Sequence, residues 1–155
     1  MTTLGPRATV NGATPRIEYH QFKLVDLDGT LDVPNNWPQH SRIATAAGHG
    51  VLFHTAGNDF HPFVRLEAWP TEPPRQADGL WEVAGEAEFL SDTGTLLLRE
   101  WDSGPACDPI SIGLPGAYRL RAYCRGRAEA KALIGQEMYY EGVEEWLLQV
   151  WPLTC

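Results

Sequence analysis

LPGAYRLRAYCRGRAEAKALIGQEMYYEGVEEWLLQVWP, residues 114–152, is the stretch on which the fold turns. From Ala117 to Cys124, Tyr118, Leu120, Ala122 and Cys124 alternate with Arg119, Arg121 and Tyr123. That period of two is expected of a strand with one buried face. Trp146, Leu148 and Val150 repeat it against Glu145 and Gln149, while Leu147 and Trp151 make this second strand apolar on both faces. Between them, Ala128, Ala130 and Ala132 favour one short helix over Arg127 to Ile134, barely two turns before Gly135.

Working outward, the same alternation recurs in short pieces. IEYHQFKLVD (17–26) reads as a strand ending at Asp26, and Gly29 marks a turn. VPNNWPQH (33–40) excludes a regular helix through its two prolines. Ile43 to Ala47, the glycine turn GHG and VLFHTAG suggest short paired strands around Gly48 and Gly50. FHPFVRLEAWP (60–70) is strand-like until TEPPRQADG breaks it as a surface loop. LWEVAGEAEFL (80–90) follows, with Gly85 read as a bulge, and SDTG closes a hairpin onto TLLLREW. Residues 1–16 lack periodicity and read as a flexible N-terminal tail, which leaves 17–155 as a single domain. The expected fold is therefore all-β: an antiparallel two-layer β-sandwich of about eight short strands with at most one short helix.

Bulk properties narrow the function classes. A chain of 155 residues suits one core, and no apolar run reaches the roughly 20 residues of a membrane-spanning helix. The opening residues have no secretory-signal pattern, and Cys107, Cys124 and Cys155 form no C-x-x-C pair, so reduced thiols in a cytoplasmic protein are expected. Twenty Asp and Glu against twelve Lys and Arg give a formal charge of −8. This balance disfavours direct nucleic-acid or anionic-lipid binding and favours a basic protein partner, although solubility alone is a sufficient reason for it.

Four constellations bear on chemistry. VDLDGTL (25–31) resembles the nucleophile motif of the haloacid dehalogenase-like phosphatases, which would make Asp26 the nucleophile and Asp28 the acid and base beside magnesium. Its surroundings are wrong, because Pro34 to Pro38 stand where that family needs a helix, and the late acidic motif suggested by Gly57, Asn58 and Asp59 precedes the only plausible lysine, Lys131. His49, His54, Asp59 and His61 have no compact metal-site spacing; no metal or cofactor is expected. Arg119, Arg121, Tyr123, Arg125 and Arg127 could form a nucleic-acid stripe, or could pair across strands with Glu144, Glu145 and Glu100. Finally, Asp26, Asp28 and Asp32, with Glu137, Glu141, Glu144 and Glu145, form two acidic clusters that would make one partner-binding patch if both lie at the same end of the domain.

IEYHQF (17–22), ATAAGHGVLFHTAG (44–57) and ISIGLPGAYRLRAYC (110–124) together resemble the competence protein J family, small bacterial inhibitors of a DNA-entry nuclease. The ending EEWLLQVWP is also similar to that of uncharacterised actinobacterial proteins of like size. The resemblance implies an all-β protein that binds another protein, a nuclease being the natural candidate, and performs no chemistry. Its motifs are fold markers and bring no functional residues with them. The tail and the Pro73–Pro74 loop depart from the family pattern. The partner-binding expectation accordingly rests on Asp26, Asp28, Asp32, Glu137, Glu141 and Glu144, with the phosphohydrolase as its alternative.

Overall fold

The computed structural model describes residues 5–29, 42–46, 48–102 and 104–153. Among these it forms ten strands, β1 (Ala8–Ala13), β2 (Gln21–Asp26), β3 (Ala44–Ala46), β4 (Gly50–His54), β5 (His61–Ala68), β6 (Val83–Ser91), β7 (Thr95–Arg99), β8 (Ile110–Ser111), β9 (Gly116–Arg125) and β10 (Glu141–Pro152). One short helix, α1 (Arg127–Ala132), joins β9 to β10. Two five-stranded sheets result, in the orders β1-β5-β10-β9-β6 and β3-β4-β2-β7-β8.

The deciding pair behaves as its alternation requires. β9 and β10 run antiparallel from Glu145 opposite Arg125 to Pro152 opposite Tyr118. Their inward residues Leu120, Ala122, Cys124, Trp146, Leu148 and Val150 meet Phe22, Leu24, Val51, Phe53, Leu96 and Leu98 of the second sheet in one apolar core. Trp146 sits at its centre, with ring centroids 5.1 Å from Phe22 and 5.7 Å from Phe53, both edge-on. Burying a large aromatic group on this scale stabilises by about 3 kcal/mol.

The expected sandwich of about eight antiparallel strands is met in outline and corrected in four details. β10 pairs with β5 in parallel, so the first sheet is mixed. Residues expected in a flexible tail form β1, whose Thr9 and Val10 lie opposite Glu67 and Leu66; pairing along the β5 edge supplies an order that local sequence does not encode. Gly85 is not a bulge, for the β6–β9 register steps one for one from Val83 to Ser91. Its missing side chain instead makes room for Ile43, since a Cβ there would lie 3.2 Å from Ile43 Cγ1. SDTG does not close a hairpin either: β6 ends in the first sheet and β7 begins in the second, so residues 92–94 are a corner between layers.

A bulge does occur in β10. Four steps from Glu141 to Glu145 oppose two steps from His61 to Phe63, and Gly142 and Val143 take φ of 82° and 72°. The left-handed region is a strained place for a β-branched residue. The displaced Val143 carbonyl presses on Gly126, where a Cβ would come within 1.8 Å of it. Gly126 itself has φ 80° at the start of α1. Gly126→Ala should therefore cost more than about 2 kcal/mol through backbone clash and a disfavoured φ, read as a lowered midpoint in urea unfolding.

Candidate partner-binding surface

The six residues expected to bind a partner do not share a surface. Asp26 and Glu144 are each 0% exposed. Asp28, Glu137 and Glu141 are exposed, and Asp32 lies outside the described residues. Asp26 ends β2 beside the β6–β7 corner, whereas Glu144 meets the segment after β4 near the start of β2. The two acidic clusters thus stand at opposite ends of the second sheet, separated by the length of β2, roughly 17 Å at about 3.3 Å per residue.

Both buried carboxylates are structural. Asp26 Oδ1 accepts from the Ser91 hydroxyl at 2.5 Å, the Thr93 hydroxyl at 2.8 Å and the Thr93 amide at 3.1 Å. Its Oδ2 accepts from the Asp28 amide at 3.1 Å. Burial alone would push this carboxyl up, but these donors outweigh it and hold it below the ordinary aspartate value. With no exposed surface and its oxygens occupied, Asp26 cannot attack a phosphate. The sheets around it are also not the doubly wound parallel type that the phosphatase motif requires, so the dehalogenase-like alternative fails.

At the other end, Glu144 Oε1 accepts from the Ala56 amide at 3.1 Å, Arg127 at 3.0 Å and the Cys124 thiol at 3.3 Å, while Oε2 accepts from the Gly57 amide at 3.1 Å. Arg127 also donates to the His54 carbonyl at 3.0 Å. Here burial dominates and pushes the Glu144 carboxyl up against the pull of those donors. Burial, reinforced by Glu144, likewise pushes the Cys124 thiol far up, which keeps it an inert thiol rather than a nucleophile.

The arginine stripe is neutralised within the fold. Arg119 pairs with Glu88, Arg125 with Glu145 at 3.0 Å and Arg127 with Glu144. Arg121 is wholly buried under the segment after β5: it donates to Glu72 at 2.5 Å and to the Pro73 carbonyl at 3.3 Å, and stacks on Trp151. The expected pairings with Glu144 and Glu145 hold, but Glu100 accepts instead from the Arg16 amide at 2.6 Å. TEPPRQADG is thus the cover of the outer sheet face. Beside it, a cavity of about 540 Å³ lies over Phe63, Trp81 and Leu147, and its rim charges Arg65 and Arg125 are paired with Glu67 and Glu145. The histidines are dispersed: His49 faces Asp92 at 3.0 Å and His61 donates to the Thr14 carbonyl at 3.1 Å. No group of three metal-ligating side chains occurs among the described residues.

Near Glu144, the sequence reading missed a set of exposed rings. Tyr19 is 72% exposed, Met138 58% and Tyr139 47%. Tyr19 and Trp101 pack with centroids 5.5 Å apart, and the Arg16 guanidinium lies 4.9 Å over Tyr139. Tyr19, His20, Asp59 and Tyr139 all have φ between 52° and 59°. The loops are locked together by the Tyr139 amide on the Asp59 carbonyl at 2.6 Å, the His20 amide on Asn58 Oδ1 at 3.1 Å and the Thr55 amide on the His20 carbonyl at 3.0 Å. MYY at 138–140, an apolar triplet within an acidic stretch, was the available signal.

The chain is similar to ComJ of Bacillus subtilis, an inhibitor of the DNA-degrading activity of NucA, with a TM-score of 0.61 at 15% identity over 98% of this chain and 100% of that one. It is similar also to the crocagin biosynthetic gene J protein, at 0.60 and 14% identity over 95% and 99%. These likenesses are of fold. No family model and no curated protein sequence matches the chain.

The buried carboxylates predict opposite pH behaviour. The lowered Asp26 value contributes stability that is present above the ordinary 3.8 and is lost as pH falls through the folded-state value. The raised Glu144 value favours the fold most below its ordinary 4.5, an advantage lost as pH rises through the folded-state value. Asp26→Asn, which places an amide donor among donors, should cost about 2 kcal/mol near neutrality. Denaturant titrations between about pH 6 and pH 3 should show that cost constant above and shrinking below the ordinary 3.8; a pH-independent cost would contradict the ionised, donor-filled site.

Proposed function

We propose that this chain is a protein-binding inhibitor of the ComJ type, which neutralises a basic, DNA-degrading enzyme in a reducing cytoplasm and catalyses nothing itself. The observation that carries this reading is correspondence with the fold of ComJ over practically the full length of both chains. Charge supports it. The formal charge is −8, and Arg119, Arg121, Arg125 and Arg127 each lie against a carboxylate rather than forming an open basic stripe. An acidic surface steers a cationic protein toward it and competes with the phosphates that a nuclease groove holds. The two described cysteines, Cys107 and Cys124, are free thiols, in keeping with a reducing compartment.

Because the second structural likeness is to a protein named for crocagin biosynthesis, the fold has been put to more than one use, and inhibition has to be tested directly. Basic nucleases of the host are mixed with the protein in molar excess and DNA degradation is followed. The expected result is near-stoichiometric inhibition of one of them, with association slowing as salt is raised. Failure to slow any host nuclease would overturn the inhibitor reading.

A further inference from the structure

The inhibitor reading leaves open which part of the surface meets the enzyme. Resting on that reading, we propose that the partner docks on the face bearing Tyr19, Trp101, Met138 and Tyr139, and that it does so with lysine or arginine side chains.

Exposed rings of this size are otherwise better buried, and here the backbone bears a cost to keep them out. Tyr19 and Tyr139 each occupy the left-handed region at φ 57° and 59°, sparsely populated for bulky residues. The hydrogen bonds linking residues 55, 58 and 59 to residues 20 and 139 hold both loops in that state before any partner arrives. Tyr and Trp offer large contact area with few rotatable bonds, so a prearranged set of them loses little entropy on binding.

Charge identifies the occupant. Glu18, Glu100, Asp102, Glu137 and Glu141 lie within two residues of Tyr19, Trp101 or Tyr139, Glu18 and Glu100 also bond Arg16, and Asp59 accepts the Tyr139 amide on its carbonyl. Of the cations at this end, Arg16 lies 3.0 Å from Glu18, while Lys23 is near both Arg99 and Asp102. On α1, Glu129 and Lys131 cancel. The excess is negative, and the rings add their own attraction for cations. Arg16 over Tyr139 shows the geometry that a partner guanidinium would adopt against a neighbouring ring. Among the described residues, the opposite acidic end around Asp28 has no such aromatic set.

The test uses the nuclease inhibited by the wild-type protein. Tyr19→Asn and Tyr139→Asn remove each ring and place at positive φ a residue that tolerates it, so thermal unfolding should stay within a few degrees of wild type. Each should weaken inhibition by about tenfold or more, as loss of a central aromatic contact does. Glu137→Gln should reduce the salt dependence, and Glu88→Gln, at the far end, should leave inhibition unchanged. If both tyrosine variants remain folded and inhibit as wild type does, or if Asp28→Asn abolishes inhibition while they do not, the docking face is wrong though the inhibitor reading stands. If the wild-type protein inhibits no host nuclease, both fall.

Discussion

A carboxyl group withdrawn from water is tolerated only where donors surround it, and this fold places one such group at each end. Asp26 gathers a serine hydroxyl, a threonine hydroxyl and two amides at the corner where the chain leaves one sheet for the other. Glu144 gathers two amides, an arginine and a thiol where β4, β9 and β10 converge. Each knot is satisfied only when strands of both sheets are in place, so each acts as a clip between layers. The apolar core centred on Trp146 supplies most of the cohesion, while the clips fix the ends at which a core alone would permit slippage.

The Glu144 knot also connects packing to surface. Its two amide donors belong to Ala56 and Gly57, and the next two residues, Asn58 and Asp59, hold His20 and Tyr139. A buried ionic centre is thereby continuous with the strained loops that carry the exposed rings. Rigid support of this kind lets aromatic side chains stay outward without the loops relaxing around them. Gly126 belongs to the same arrangement, because the β10 bulge that aims Glu144 inward leaves no space for a side chain there.

On the outer face of the first sheet, a second constraint shapes the electrostatics. Leu147, Gln149, Trp151, Tyr123 and Arg121 all point away from the core yet are buried, and the segment that follows β5 bonds directly to Arg121 and Tyr123. Covering that face hides an arginine whose charge must then be answered by Glu72. A stripe that would have been basic is paired with carboxylates instead. Fold likeness at 15% identity cannot convey such surface properties, which is why structures that share this architecture can differ in use.

Sequence by itself determined the β character, most strand positions, the short helix after Arg125 and the pairing of the arginine stripe with Glu144 and Glu145, though not which arginine meets which acid. Each is written in alternation or in residues brought together by adjacent elements. The apolar outer face of β10 was legible in Leu147 and Trp151, but residues 71–79, read as a surface loop, gave no sign of folding over that sheet. Tertiary structure alone decided the parallel pairing of β5 with β10, the crossing after Ser91 and the recruitment of β1. It alone decided that Asp26 and Glu144 are internal while Tyr19 and Tyr139 are displayed. The donors that bury those acids lie 65 and 87 positions away, and period-two patterning carries no information over that distance about which polar residue will find its partners.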